Sequence, residues 1–85
     1  MNELFIMNTF LEQFGHNAYL KSSNTLFVKE NKLYSNGRQL AQISDGTLYI
    51  ELSTQDNTEF NNHREMLVRL AMTFPYEINY LSKLV

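Results

Sequence analysis

An 85-residue chain of 10.0 kDa has room for one domain, residues 1–85, and a domain of that length buries only about 60–65% of the surface its unfolded chain exposes. Apolar residues make up 44% of it, with five Tyr and six Phe among the side chains, which is too much apolar surface for a disordered tail. Seven basic and nine acidic residues leave a net charge of −2, which excludes a strongly basic histone-like binder and a highly acidic nucleic-acid mimic. The lack of cysteine excludes disulfide scaffolds, thiol catalysis and Cys-ligated zinc.

Glu3 stands where a signal peptide needs positive charge, and Asn8 and Thr9 interrupt the first apolar run. No segment approaches the ~18 consecutive apolar residues of a membrane span. A cytoplasmic protein without a membrane partner is expected. From Glu3 to Phe14 the spacing predicts an amphipathic helix: Leu4, Ile6, Met7, Phe10, Leu11 and Phe14 share one side, and Phe5 is the large apolar residue out of place. Gly15 follows as the natural left-handed cap.

From residue 17 the period changes to two. Ala18–Lys21, Leu26–Lys29, Lys32–Ser35, Arg38–Ile43 and Thr47–Leu52 alternate as strands do. Asn36-Gly37 and Asp45-Gly46 are the strongest breaks, because a type I′ hairpin turn needs positive φ at both central residues. A second helix is predicted over about 58–74, capped by Asp56, Asn57 or Thr58, with Phe60, Leu67, Leu70, Ala71 and Phe74 on its core face and Pro75 ending it. Ile78, Leu81 and Val85 are spaced for a short tail helix. The expected fold is therefore α+β: an N-terminal helix, an antiparallel meander of four or five strands, a C-terminal helix and a short tail helix, with the helices mainly on one sheet face.

Chemistry-bearing patterns are sparse. No serine sits in a Gly-x-Ser-x-Gly elbow, and no Gly-rich phosphate loop, Walker sequence or dinucleotide fingerprint occurs. Glu12/His16 and Glu59/His63 have the i,i+4 spacing of a metal-binding pair, a spacing that chance supplies often. The expectation is no catalytic residue, no metal and no cofactor, hence no enzyme. His63 falls on the apolar side of the second helix with Phe60, Leu67 and Phe74. It is read as a partly buried imidazole hydrogen-bonded to the preceding loop, where Ser53, Thr54 and Asp56 supply acceptors; the competing reading is a ligand or partner contact.

Alternation assigns Ala18, Leu20, Leu26, Val28, Leu33, Ala41, Ile43, Leu48, Ile50 and Leu52 to a core face. The opposite face then carries Tyr19, Phe27, Tyr34 and Tyr49 with Lys21, Lys29, Lys32 and Arg38 against one acid, Glu51. Residues 17–42 hold four basic side chains and one acidic; residues 43–85 hold three and six. Aromatics interleaved with cations on an open sheet suit a single-strand nucleic-acid platform, where rings stack on bases and cations follow phosphates. The same residue types dominate protein interfaces.

Leu33-Tyr34-Ser35-Asn36-Gly37-Arg38-Gln39-Leu40-Ala41, then Ser53-Thr54 and Thr58, then His63 and Leu67 resemble a pattern of small proteins of Gram-positive bacteriophages. That pattern has a tyrosine-serine turn, a small apolar strand ending near alanine, a Ser/Thr-rich loop and a helix with an early histidine. The resemblance covers roughly residues 33–70, and Asn57-Thr58 stands where the family has paired threonines. It implies a phage accessory protein in an AT-rich host, a setting that ten asparagines also suit, and it brings no catalytic residues with it.

The leading expectation is a small non-enzymatic accessory protein that binds and modulates or inhibits a host protein, such as a defence nuclease (an anti-CRISPR-like role) or a replication or transcription factor. Its partner-binding residues are expected to be Tyr19, Phe27, Lys29, Tyr34, Arg38, Tyr49, Val68 and Met72. The alternative is a single-stranded nucleic-acid-binding module on the aromatic, basic sheet face. Self-association into a homodimer competes for the same apolar residues.

Overall fold

The computed structural model describes residues 3–12, 19–22, 25–52 and 58–82, and of residues 19–22 the backbone only. The helical period at the start becomes α1 (Glu3–Glu12). The alternating stretch becomes β1 (Tyr19–Ser22), β2 (Leu26–Lys29), β3 (Lys32–Ser35), β4 (Arg38–Ser44) and β5 (Thr47–Glu51). Then come α2 (Thr58–Ala71) and β6 (Glu77–Leu81). The fold is α+β, as expected, with one six-stranded sheet in the order of the chain. β1 to β5 form an antiparallel meander, and β6 lies parallel to β5 after the α2 crossover.

The turns are built as the sequence requires. Asn36 and Gly37 take φ of 52° and 78°, and Asp45 and Gly46 take 50° and 77°, the left-handed pair that matches the twist of the flanking strands. Both helices pack on one sheet face in a single core. Ile6, Met7, Phe10 and Leu11 of α1 and Phe60, Leu67 and Ala71 of α2 close over Leu26, Val28, Leu33, Ile43, Leu48 and Ile50.

Four expectations are corrected. The tail is not a helix: Glu77–Leu81 form β6, because Tyr76, Ile78 and Tyr80 alternate as readily as Ile78 and Leu81 repeat, and the main chain satisfies itself against β5. α2 ends at Ala71; Thr73 and Phe74 donate their main-chain N–H to Leu70 and Ala71 in a tighter turn before Pro75. A β-bulge shifts the β3–β4 register between Leu33↔Ala41 and Tyr34↔Gln39, so Leu40 and Ala41 are both buried. Leu4 and Leu52, placed in the core by period, are exposed. Gly15, Phe14, Ala18, Val85 and the cap residues Asp56 and Asn57 lie outside the described residues.

Candidate functional site

The two faces of this sheet carry the polar chemistry of the domain in different ways. On the helix-covered side, His63 of α2 is 2% exposed. Its Nδ1 lies 2.7 Å from Ser35 Oγ on β3, and its Nε2 lies 2.5 Å from Glu3 Oε2 at the start of α1. One imidazole thus ties two helices to the sheet. It is a buried, hydrogen-bonded histidine as expected, but its partners come from β3 and α1; Ser53, Thr54 and Asp56 lie outside the described residues.

The order hydroxyl–imidazole–carboxylate has the form of a nucleophilic relay. Here the hydroxyl meets Nδ1 and is fully buried among core side chains, so no substrate carbon can reach it. Glu3, Glu59 and His63 also bring ligand atoms within 4.8 Å of one another, a set that can in principle hold a divalent cation. Two observations argue for hydrogen bonding instead. Nε2 already meets Glu3, and Glu59 Oε1 accepts from Asn36 Nδ2 at 2.9 Å. Both glutamates also sit in the first turn of their helices, where the positive end of the helix dipole favours the carboxylate and opposes a cation.

Arg38 belongs to this covered side as well, which corrects its assignment to the open face. It pairs across the Asn36-Gly37 hairpin with Ser35, lies 6.0 Å from the Phe60 ring centroid, and donates from Nε to Glu51 Oε2 at 2.7 Å. Glu51, expected as the lone acid of the open face, is buried in that pairing. For Arg38 the bulge is the physical reason: the extra residue in β4 reverses the alternation on its N-terminal side; Glu51 is buried as the partner of that guanidinium.

The other face carries no described helix. Phe27 and Tyr34, opposite each other on β2 and β3, stack with ring centroids 4.7 Å apart and planes within 9°. Beside them the register aligns Lys29, Lys32, Gln42, Tyr49 and Asn79 in one row across β2 to β6. Gln39 Nε2 donates to Gln42 Oε1 at 3.2 Å where the bulge brings them together. Phe27, Lys32, Tyr34 and Tyr49 are half-buried, and Lys29 is exposed. Tyr19 lies opposite Lys29 in the register, and its side chain is outside the described residues.

A third region was not visible in the sequence. An open groove of about 510 Å³ runs between α2 and the end of β6, lined by Leu52, Val68 and Tyr80 with Asn61, Arg64, Glu65 and Arg69. Val68, expected as a partner contact, lines it. Met72, one helical turn further on, is 76% exposed. The sequence-predicted site therefore divides: Phe27, Lys29, Tyr34 and Tyr49 share the open face, Val68 lines the groove, Met72 is exposed beyond the end of α2, and Arg38 is in the covered layer. Only the tertiary crossover α2–β6 creates the groove, and no local pattern announces it. Comparison of the chain with protein-family models, with curated proteins and with solved structures found no match.

Proposed function

We propose that this chain is a small non-enzymatic accessory protein that binds and modulates a host protein through the open face of its sheet, in the bacteriophage setting that the resemblance over residues 33–70 implies. The observation that carries the reading is the Phe27–Tyr34 stack standing beside Lys29, Lys32 and Tyr49 on a face with no described helix. Aromatic side chains of few rotatable bonds lose little entropy when a partner covers them. Flanking cations would orient an acidic partner and speed its approach. The partner fitted by this surface is a protein with an acidic strip around an apolar anchor.

Binding of single-stranded nucleic acid is the weaker reading on this geometry. A base platform offers ring faces to the bases, whereas Phe27 and Tyr34 turn one face each toward the other. Arg38, counted among the phosphate contacts, is engaged by Glu51.

The test is retention of one host protein from a Gram-positive lysate, followed by titration of that purified protein. Phe27→Ala with Tyr49→Ala should abolish retention while the variant still melts cooperatively. Equal retention by the double variant, or no retained protein, overturns the reading. Fluorescence anisotropy with single-stranded DNA and RNA at low salt is the companion measurement; affinity that falls steeply with salt would move the assignment to nucleic acid.

A further inference from the structure

β6 is one of the two outer strands of the sheet, and the ladder fixes what it presents. The Glu77 N–H donates to Gly46 O at 3.2 Å, and Leu81 O accepts from the Leu52 N–H at 2.7 Å. In a parallel ladder, alternate residues turn both main-chain groups toward the neighbouring strand. Glu77, Asn79 and Leu81 therefore face β5, while Ile78 and Tyr80 direct their N–H and C=O to the outer edge, where no described strand pairs with them.

Protein sheets blunt such edges with lysine, proline, a bulge or a covering element. β1, at the opposite edge, includes Lys21 among its four residues; β6 is Glu-Ile-Asn-Tyr-Leu and has neither lysine nor proline. Exposed apolar side chains adjoin it instead: Tyr80 and Leu81 on the strand itself, and Leu52, whose N–H meets Leu81 O.

We propose that β6 pairs antiparallel with β6 of a second copy of this chain about a two-fold axis at Asn79, joining two sheets into one. The five-residue strand is centred on Asn79, so only this register overlaps it completely. Ile78 then lies opposite Tyr80 of the second copy, and their outward N–H and C=O groups bond in both directions. Asn79 lies opposite itself as the pair without main-chain hydrogen bonds. Glu77, the one charged residue of the strand, meets Leu81, so no like charges oppose. The adjoining groove walls carry Arg64, Arg69 and Glu65, both signs together, which suits a copy of itself better than a partner of single charge. The open face stays uncovered in such a dimer, so this inference stands or falls independently of the proposed host partner.

Sedimentation velocity on the purified chain over a wide concentration range tests it. A monomer–dimer equilibrium is expected, and Asn79→Lys, which sets two ammonium groups together on the axis, should weaken it by about tenfold or more. Asn79 is exposed, so at concentrations where wild type is monomeric the two should melt at the same temperature; Asn79→Asp is the second variant should lysine disturb the strand. A directly opposed pair without hydrogen bonds has Cα atoms about 4.5 Å apart, within disulfide range. In a chain with no other cysteine, Asn79→Cys should cross-link on mild oxidation, whereas the exposed control Lys29→Cys should not. A chain that is monomeric throughout overturns the proposal. So does a dimer that Asn79→Lys leaves intact and Asn79→Cys fails to cross-link. Exchange protection of the Ile78 and Tyr80 amides that appears only when a host protein is added would assign the edge to a foreign strand, and would overturn it too.

Discussion

The covered and open faces of the sheet are made from the same alternating strands, yet they use polar groups in opposite ways. Beneath the helices, Ser35, His63 and Glu51 are buried and each has a specific partner; among the described residues no buried side-chain nitrogen or oxygen lacks one. A polar atom sealed from water must be paired or it destabilises the fold, so this layer tolerates little change. On the open face the polar side chains are half-exposed, and water can replace any contact they lose. Stability therefore constrains one face, while the other is left available for recognition.

The comparison breaks most visibly at Phe60, a fully buried ring against which Arg38 lies. Phe60→Ala should remove about 3–5 kcal/mol, a large part of the roughly 5–15 kcal/mol that holds a small domain together. Urea denaturation should show the midpoint collapsing toward zero denaturant. A loss below about 1 kcal/mol would mean that the covered face is not the core described here.

Next in size is the imidazole. His63→Ala leaves the Ser35 hydroxyl buried without its partner, which should cost about 1–3 kcal/mol beyond the packing lost. Adding Ser35→Ala removes the orphaned group. The double variant should therefore be more stable than the sum of the two single effects, as thermal or denaturant melts will read. Strict additivity would deny the 2.7 Å contact any energetic meaning.

These elements differ in how legible they were. The meander followed from period and turn chemistry alone, because Asn-Gly and Asp-Gly impose a backbone that few other pairs adopt. His63 showed itself as a polar residue on an apolar helix side; its partners did not, since Ser35 and Glu3 are 28 and 60 residues away and no local pattern encodes that separation. One bulge at Leu40-Ala41 was enough to move Arg38 to the other side of the sheet, because alternation carries no memory of an inserted residue. β6 was misread as a helix for a related reason. Its pairing with β5 is parallel, so the partner is reached through α2 rather than through a turn that the sequence can display.

Tyr76 gives a smaller effect with a distinct pH signature. It donates its hydroxyl to Leu11 O at 2.5 Å, tying the start of β6 to the end of α1, and burial raises its pKa above the ordinary phenol value. A folded-state pKa above the unfolded one gives stability that is complete below the unfolded pKa and lost as pH rises through the folded pKa. The contribution should thus be full at neutral pH and fade above about pH 10. Tyr76→Phe should cost about 0.5–1.5 kcal/mol at neutral pH and flatten the alkaline limb of the stability curve. An unchanged limb would place the alkaline loss elsewhere.

The smallest effect on stability is expected where the proposed function is largest. Phe27 and Tyr34 are a cross-strand pair in stacked contact, and such pairs couple by roughly 0.2–1 kcal/mol. A double-mutant cycle with Phe27→Ala and Tyr34→Ala should return a coupling in that range, since both rings keep contact with water and neither seals a polar group. The same two variants should each weaken binding of the retained host protein by far more than they lower stability, because an interface concentrates its energy in a few aromatic anchors that become dry only in the complex. The ratio of the two losses is the informative quantity. If both variants unfold the domain as Phe60→Ala does, the open face is a second core and the contrast between the faces fails. If they leave both stability and retention intact, the stacked pair is a feature of strand pairing alone, and the partner docks elsewhere.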